Sequence, residues 1–230
     1  MVITIHQPEH LPWAGFFHKM SLVDKYVLLD NVQYKKNNWQ NRNRIITRNG
    51  EEQWLTVPVK LKGHIQTTIK EIEINEQVDW RRIYWGRLNN SYCKHPFYKT
   101  YSVKLYEIIH QHNSNLRELN KDLIDLFRDI LGIKNQLIWA SDLCIHNKRT
   151  ELIIEIVKTL GGETYISGPD GAKYLDLDLF EKENIRVLYH NFSPPKYDAL
   201  NGFIYGLSTL DIIMNHGGNS ASIIGIGKSS

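Results

Sequence analysis

The sequence predicts an α/β fold: a mostly parallel, Rossmann-like sheet with helices on both faces, interrupted by a β-hairpin and helical insertion at about residues 40–132 of a single domain. Three observations carry this. VITIH, a proline-bearing loop, an apolar helical stretch and KYVLLD follow one another directly, which is a βαβ opening. After residue 132 the strand–helix alternation resumes. Strands separated by helices pair in parallel and are covered on both sides.

The elements follow in order. The β-branched run VITIH (2–6) is a strand, ended by Pro8, which cannot feed a sheet ladder. Pro12 sits where a helix over Trp13–Ser21 can begin, and KYVLLD (25–30) is the second strand. RIITRNGEEQWLTVPV holds two β-rich runs around Asn49-Gly50, a pair that tolerates the positive φ of a tight hairpin turn. IKEIEI (69–74) alternates with period two and reads as a further strand. Residues 78–132 read as three helices, broken near Pro96 and at Asn113–Asn115. In the third, Leu116, Leu119, Leu123, Phe127 and Ile130 form one apolar stripe, with Gly132 as its C-cap. QLIWAS (136–141), TYIS (164–167) and IRVLYH (185–190) are strands. A helix over 149–160, a short helical stretch and a terminal helix around Leu210–Asn215 accompany them.

The chain of 230 residues, 42% hydrophobic and 23% charged, can bury a globular core. No apolar run reaches the length of a membrane span, and no signal peptide is visible, so a cytoplasmic, bacterial-type protein is expected. Cys93 and Cys144 stand alone, which indicates neither a disulfide framework nor a zinc site. The net charge of +3 is unevenly spread. Asn31–Gly50 and Trp80–Tyr106 contain no acid, while Lys35, Lys36, Arg42, Arg44 and Arg48, then Arg81, Arg82, Arg87, Lys94, Lys99 and Lys104, lie among aromatic residues. Such tracts suit a phosphate-bearing partner; basic side chains on the outer face of aromatic-cored helices read the same way.

Three loops carry the candidate chemistry, and all follow strand ends, where open α/β sheets bind ligands. In HQPEHLPW, His6 and His10 are candidate acid, base or phosphate-binding groups, Gln7 and Trp13 flank them, and the prolines hold the loop in shape. A metal is not expected, because these prolines forbid the helix that His-xxx-His ligation uses. In DNVQYKKNNWQNRNRI, Asp30 closes an apolar strand where a carboxylate has little packing value. Gln33, Tyr34, Trp39 and Asn41 offer amide, phenol and ring contacts, and Arg42 and Arg44 fork onto phosphate or carboxylate oxygens. In YISGPDGAKYL, Ser167, Gly168, Lys173 and Tyr174 belong to a turn whose amides can nest an anion.

IHQPEHLPWAGFFHKM, VLLDNVQYKKNNWQNRNRI, WLTVPVK, YCKHPFYKTY, YISGPDGAKYLD and LSTLDIIMNHG, in that order, resemble the WbqC-like family of bacteria, from residue 2 to about 217. The resemblance implies a place in O-antigen or other surface-polysaccharide biosynthesis. It also implies transfer of an amino acid, glycine first, to the amine of a nucleotide-linked (dTDP-type) deoxyamino sugar. The segment SPPKYDALNGF is less typical, which leaves the acceptor open. The layout is also similar to the HIGH-type nucleotidyl transferases, pantothenate synthetase among them, although His10-Leu11-Pro12-Trp13 stands in the approximate place of HxGH. That likeness implies ATP, with Mg, as activating co-substrate, with His6 and His10 at the phosphates and Asp30 or a histidine taking the amine's proton. An acyl-CoA or carrier thioester donor, an aminoacyl-tRNA donor, a non-catalytic sugar-nucleotide or nucleic-acid binding module, and a homo-oligomer stay open. Nucleic acid is the less expected partner, since no RNA-binding motif is present.

Overall fold

The computed structural model describes residues 1–60, 67–111 and 114–227. A five-stranded, wholly parallel sheet is formed by β1 (Val2–His6), β2 (Lys25–Leu28), β5 (Gln136–Trp139), β6 (Thr164–Ser167) and β7 (Arg186–Tyr189), in the order β5-β2-β1-β6-β7. β3 (Arg42–Ile46) and β4 (Glu52–Thr56) pair separately as an antiparallel hairpin, with Arg44 opposite Trp54. β1 lies at the centre, Thr4 between Tyr26 of β2 and Ile166 of β6. The chain therefore builds outward to β2 and β5, then returns past β1 to build the other half. Where the order reverses, the loops after β1 and β6 leave the sheet in opposite directions and open a crevice between them.

Helices cover both faces, as the sequence implies. On one face α1 (Ala14–Ser21) packs with α4 (Leu116–Leu131), α7 (Thr209–His216) and α8 (Ser220–Ile224). These share one core with the hairpin and with α2 (Trp80–Tyr92) and α3 (Tyr98–His110). On the other face α5 (Arg149–Thr159) and α6 (Leu177–Lys182) cover Ile3, Ile5, Val27 and Tyr165. The alternation along β2 makes the division plain, with Tyr26 and Leu28 on the first core and Val27 on the second. The stripe of α4 points into the first core, and Gly132 ends that helix at φ +69°, where a side chain would be strained.

Three expectations need correction. IKEIEI is not a strand: Ile69–Glu71 forms a 3-10 turn, because the Glu71 carboxylate accepts from the Thr68 amide (3.0 Å) and hydroxyl (2.6 Å). Only isolated bridges, at Glu73 and Ile74, remain of the extended pattern. The strands expected over 25–30 and 136–141 stop at Leu28 and Trp139, because Asp30 turns aside to bond Ser141. A terminal helix α8 follows α7 where none was expected. The break at Asn113–Asn115 falls between α3 and α4, with Asn113 itself outside the described residues.

The insertion and the sheet share buried side chains. Phe127 of α4, fully buried, lies 5.9 Å from Phe17 of α1, ring centre to ring centre. Phe127→Ala is expected to cost about 3–5 kcal/mol, as a large cavity does. Urea unfolding of that variant should remain a single transition; two separated transitions would show that the insertion folds as its own unit.

Candidate active site

At the carboxyl end of β1, His6 Nε2 lies 3.0 Å from Glu9 Oε1. Glu9 is only 8% exposed, and its other oxygen, Oε2, is buried without a partner. Beside them Lys19 of α1 is 3% exposed, with no hydrogen bond or ion pair among the described residues; its Nζ sits 5.9 Å from the centre of the Tyr26 ring. Burial pushes Lys19 down to about 8, against the Glu9 charge, which holds it up. Burial, then the Lys19 charge, lowers His6, while the Glu9 contact opposes both. From the far side of the crevice His190, just past β7, meets His18 of α1, Nε2 to Nδ1, at 2.9 Å. Burial, then Lys19, His18 and His6, hold His190 down to about 4. Three imidazoles, one ammonium and one carboxylate thus face each other at the reversal of the sheet. A buried ammonium and an unpaired carboxylate oxygen are the features of a site that awaits a partner.

The sequence reading named His6 here and missed Glu9, His18, Lys19 and His190. The signal was present: His190 follows a sheet strand as His6 ends one, and His18-Lys19 lie one helix after the first loop.

His10 departs from its expected role. It is fully buried, and both ring nitrogens are engaged, with Asn120 Oδ1 at 2.8 Å and the Tyr84 hydroxyl at 2.7 Å. The Asn120 amide donates to the Gln40 carbonyl, so its oxygen is the acceptor. His10 Nδ1 therefore carries the proton, and Nε2 accepts from Tyr84. Burial pushes this imidazole down to about 4 and keeps it neutral. It binds the first loop to the insertion, assisted by His10 N to the Trp39 carbonyl (2.8 Å) and by Asn43, which donates to the carbonyls of His10 and Leu11. Gln40 donates to Gln7 Oε1 at 2.7 Å, and Asn41 donates to the Val57 carbonyl. The amide-dense tract is the wall of the loop.

Asp30 is not a free base either. Its Oδ1 accepts from the Ser141 amide and its Oδ2 from the Ser141 hydroxyl, both at 2.9 Å. Arg117 Nε stands 2.9 Å from Oδ2, off line for a hydrogen bond and so an ionic contact. This clasp joins the ends of β2 and β5 to α4. Gln33 borders a separate open cleft of about 660 Å³ with Ser141, His146 and Lys148.

The remaining residues divide. Trp13 packs edge-on against Phe192 and lies across Gly15, where a Cβ would meet the indole at 2.4 Å. Ser167 is buried and donates to the Gly168 carbonyl. The SGPDG turn departs from the expected anion nest: it becomes a 3-10 turn over Pro169–Lys173 that spends the Gly171 and Tyr174 amides on itself. Lys173 pairs with Asp170 at 2.6 Å, and Tyr174 stands exposed at the rim. Arg42, Trp54, Trp39 and Arg44 form a stacked ladder on the hairpin: Arg42 is 4.3 Å over Trp54, the two indoles are 5.4 Å apart, and Arg44 is 5.6 Å from Trp39. Arg44 also pairs with Glu52. Tyr34 is buried with its hydroxyl unpartnered, and burial pushes it up to about 12. His6 and Ser167 thus end adjacent strands, whereas Arg42, Arg44 and Trp39 belong to the hairpin surface. Among the described residues no three His, Cys, Asp or Glu side chains converge as a metal site.

Tyr84→Phe leaves His10 Nε2 without a donor and should cost about 1–3 kcal/mol in urea unfolding at pH 7. Acid acts in the same direction. The folded value of His10 lies below its ordinary 6.5, so its contribution is complete above that pH and is lost as pH falls toward about 4. Stability unchanged across that window would contradict a neutral, buried His10.

No helix among the described residues is long and apolar enough to cross a membrane. No solved structure matches the chain. It is 32% identical over 218 residues to the uncharacterized protein Rv1507c of Mycobacterium tuberculosis (strain ATCC 25618 / H37Rv), an alignment that spans 94% of both chains. The model of the WbqC-like protein family matches residues 7–223. The chain belongs to the WbqC-like protein family.

Proposed function

We propose that the protein is an amide-forming aminoacyl transferase, which joins an amino acid, glycine first, to the amine of a nucleotide-linked deoxyamino sugar in surface-polysaccharide biosynthesis. The observation that carries the chemistry is the pairing of Lys19 with Glu9 Oε2, a buried cation and an unpartnered carboxylate oxygen at the crevice of the sheet. In this reaction a C–N bond forms between the activated carbonyl carbon and the sugar nitrogen, and the bond from that carbon to its leaving group breaks. Negative charge builds on the carbonyl oxygen and a proton must leave the nitrogen. Lys19 faces the first need, because a fixed cation in a dry site stabilises charge where it develops. Glu9 Oε2 takes the proton, in place of Asp30 and His10, whose polar atoms are spent on the frame. His6, held by Glu9 Oε1, orients that carboxylate.

A free carboxylate does not acylate an amine, since hydroxide leaves poorly, so the donor must arrive activated. ATP with Mg is the co-substrate this reading favours; a thioester or an aminoacyl-tRNA supplies the same chemical class of donor. The crevice residues suit an anionic donor, since Lys19 and the imidazoles of His6 and His190 offer cationic and donor groups to phosphate oxygens.

The test is to incubate the protein with glycine, ATP and a dTDP-amino sugar and to measure AMP, pyrophosphate and glycylated sugar. Glu9→Gln is expected to lower kcat by roughly 10²-fold or more, as loss of a proton acceptor does, with less effect on sugar-nucleotide binding. The rate should fall as pH rises through about 8, where Lys19 loses its charge. Lys19→Arg should remove that limb. Product formed without ATP from a thioester or aminoacyl-tRNA would keep the transferase and discard adenylate formation. Tight sugar-nucleotide binding with no product from any donor would replace the transferase by a binding module.

A further inference from the structure

The two acid-free tracts of the sequence meet in space, on a face separate from the crevice. The hairpin turn and α2 enclose a cleft of about 740 Å³, to which Arg48, Arg82 and Arg87 contribute guanidinium groups and Asn49 and Asn90 amides; Glu51 is its single acid. Arg82 is paired with Asp79, but Arg48 has no partner among the described residues, and Arg87 holds only the Trp54 carbonyl at 3.3 Å. This cleft continues, through Ile83 and Arg87, into a second cavity of about 200 Å³ between β4 and α2. Its walls are apolar: Leu55, Pro58, Val78, Ile83 and Trp80. Trp80 is 4% exposed, yet its indole N–H is buried without an acceptor. The groove thus has a cationic, amide-rich end, an apolar end, and one unpaired donor within the apolar end.

We propose that this groove binds a nucleoside phosphate, with the base in the smaller cavity and the phosphates at Arg48 and Arg87. Each part of the groove narrows the ligand. Arginines that no acid neutralises take a phosphate through charge-assisted, forked hydrogen bonds. Apolar walls take a flat, poorly hydrated group. The Trp80 N–H then decides which one: an alkyl chain leaves a buried donor unpaired, whereas a ring nitrogen or carbonyl of a nucleobase satisfies it. The site is independent of the transferase reading, since none of its residues belongs to the His6–Glu9–Lys19 group. Two sources share this chemistry, a free nucleotide and a nucleotide of an RNA strand.

The indole N–H resonances of the full-length protein, labelled with ¹⁵N and assigned through Trp80→Phe, report on this site apart from the crevice. ATP and dTTP are titrated as probes, with tripolyphosphate as an anion lacking a base and decyl phosphate as an apolar chain lacking an acceptor. The proposal expects ATP or dTTP to move the Trp80 signal downfield and saturably. The double variant Arg48→Gln, Arg87→Gln should weaken that binding by about tenfold or more, as loss of two charge-assisted bonds does, with no change in Tm because both side chains are exposed. Ile83→Asp, also at an exposed position, should weaken the base end in the same way. A short single-stranded RNA that binds more tightly than ATP identifies an RNA strand as the source, and equal affinity identifies the free nucleotide; both support the site. A Trp80 signal that no nucleotide moves overturns the proposal. So does one that tripolyphosphate or decyl phosphate moves equally, or one whose shift survives the double variant unchanged.

Discussion

The structure depends on a neutral imidazole in the dark. His10 stands where the first loop, α2, α4 and the Trp39–Asn43 tract meet, and it is the one side chain that bonds to more than one of the inserted elements at once. Each of its partners is committed elsewhere, Asn120 to the Gln40 carbonyl and Tyr84 to the core of α2, so the network has a single satisfied arrangement. Polar groups this deep give no large net stabilisation. They exclude alternatives, because any other docking of the insertion leaves several of them unpaired.

That constraint explains why the active-site loop looks overbuilt. A short connection from a strand to a helix needs little more than a turn. Here it must also hold Glu9 and His6 over the end of β1 while the carbonyls of His10 and Leu11 are tied from behind by Asn43. Asp30 does for the neighbouring half of the sheet what His10 does for the first loop, through Ser141 and Arg117. The residues with the most suggestive chemistry in the sequence are therefore the frame. The residues left with unspent polar atoms, Glu9 and Lys19, are the ones that can act.

The fold was legible because its signals are local and redundant. The βαβ opening, the Asn49-Gly50 hairpin, the apolar stripe of α4 and the strand at 164–167 each follow from periodicity and turn chemistry. IKEIEI misled because period-two alternation outweighed the Thr68–Glu71 cap, which is equally local but quieter. The site was half legible. Strand ends pointed correctly to His6, yet no rule of spacing separates a histidine whose nitrogens are both bonded, His10, from one whose surroundings leave it poised, His190. Burial and partner choice are properties of distant segments. Asn120 lies 110 residues from His10. Lys19 was invisible for the same reason: on a short helix a lysine reads as solvent-facing until the neighbouring elements close over it.

The order of the strands has a consequence for the chain during its synthesis. β1 emerges first and can pair at once with β2, about twenty residues on, but its other edge waits for β6, whose partner for Val2 is Thr164. Through most of translation the central strand of the sheet therefore carries an open, apolar edge, and the two halves of the crevice do not yet exist. Contacts of such long sequence separation slow folding and prolong the exposure of unpaired strands. The large insertion, made in that interval and already able to cover one face through α4, is placed in the chain where a nascent sheet most needs a cover.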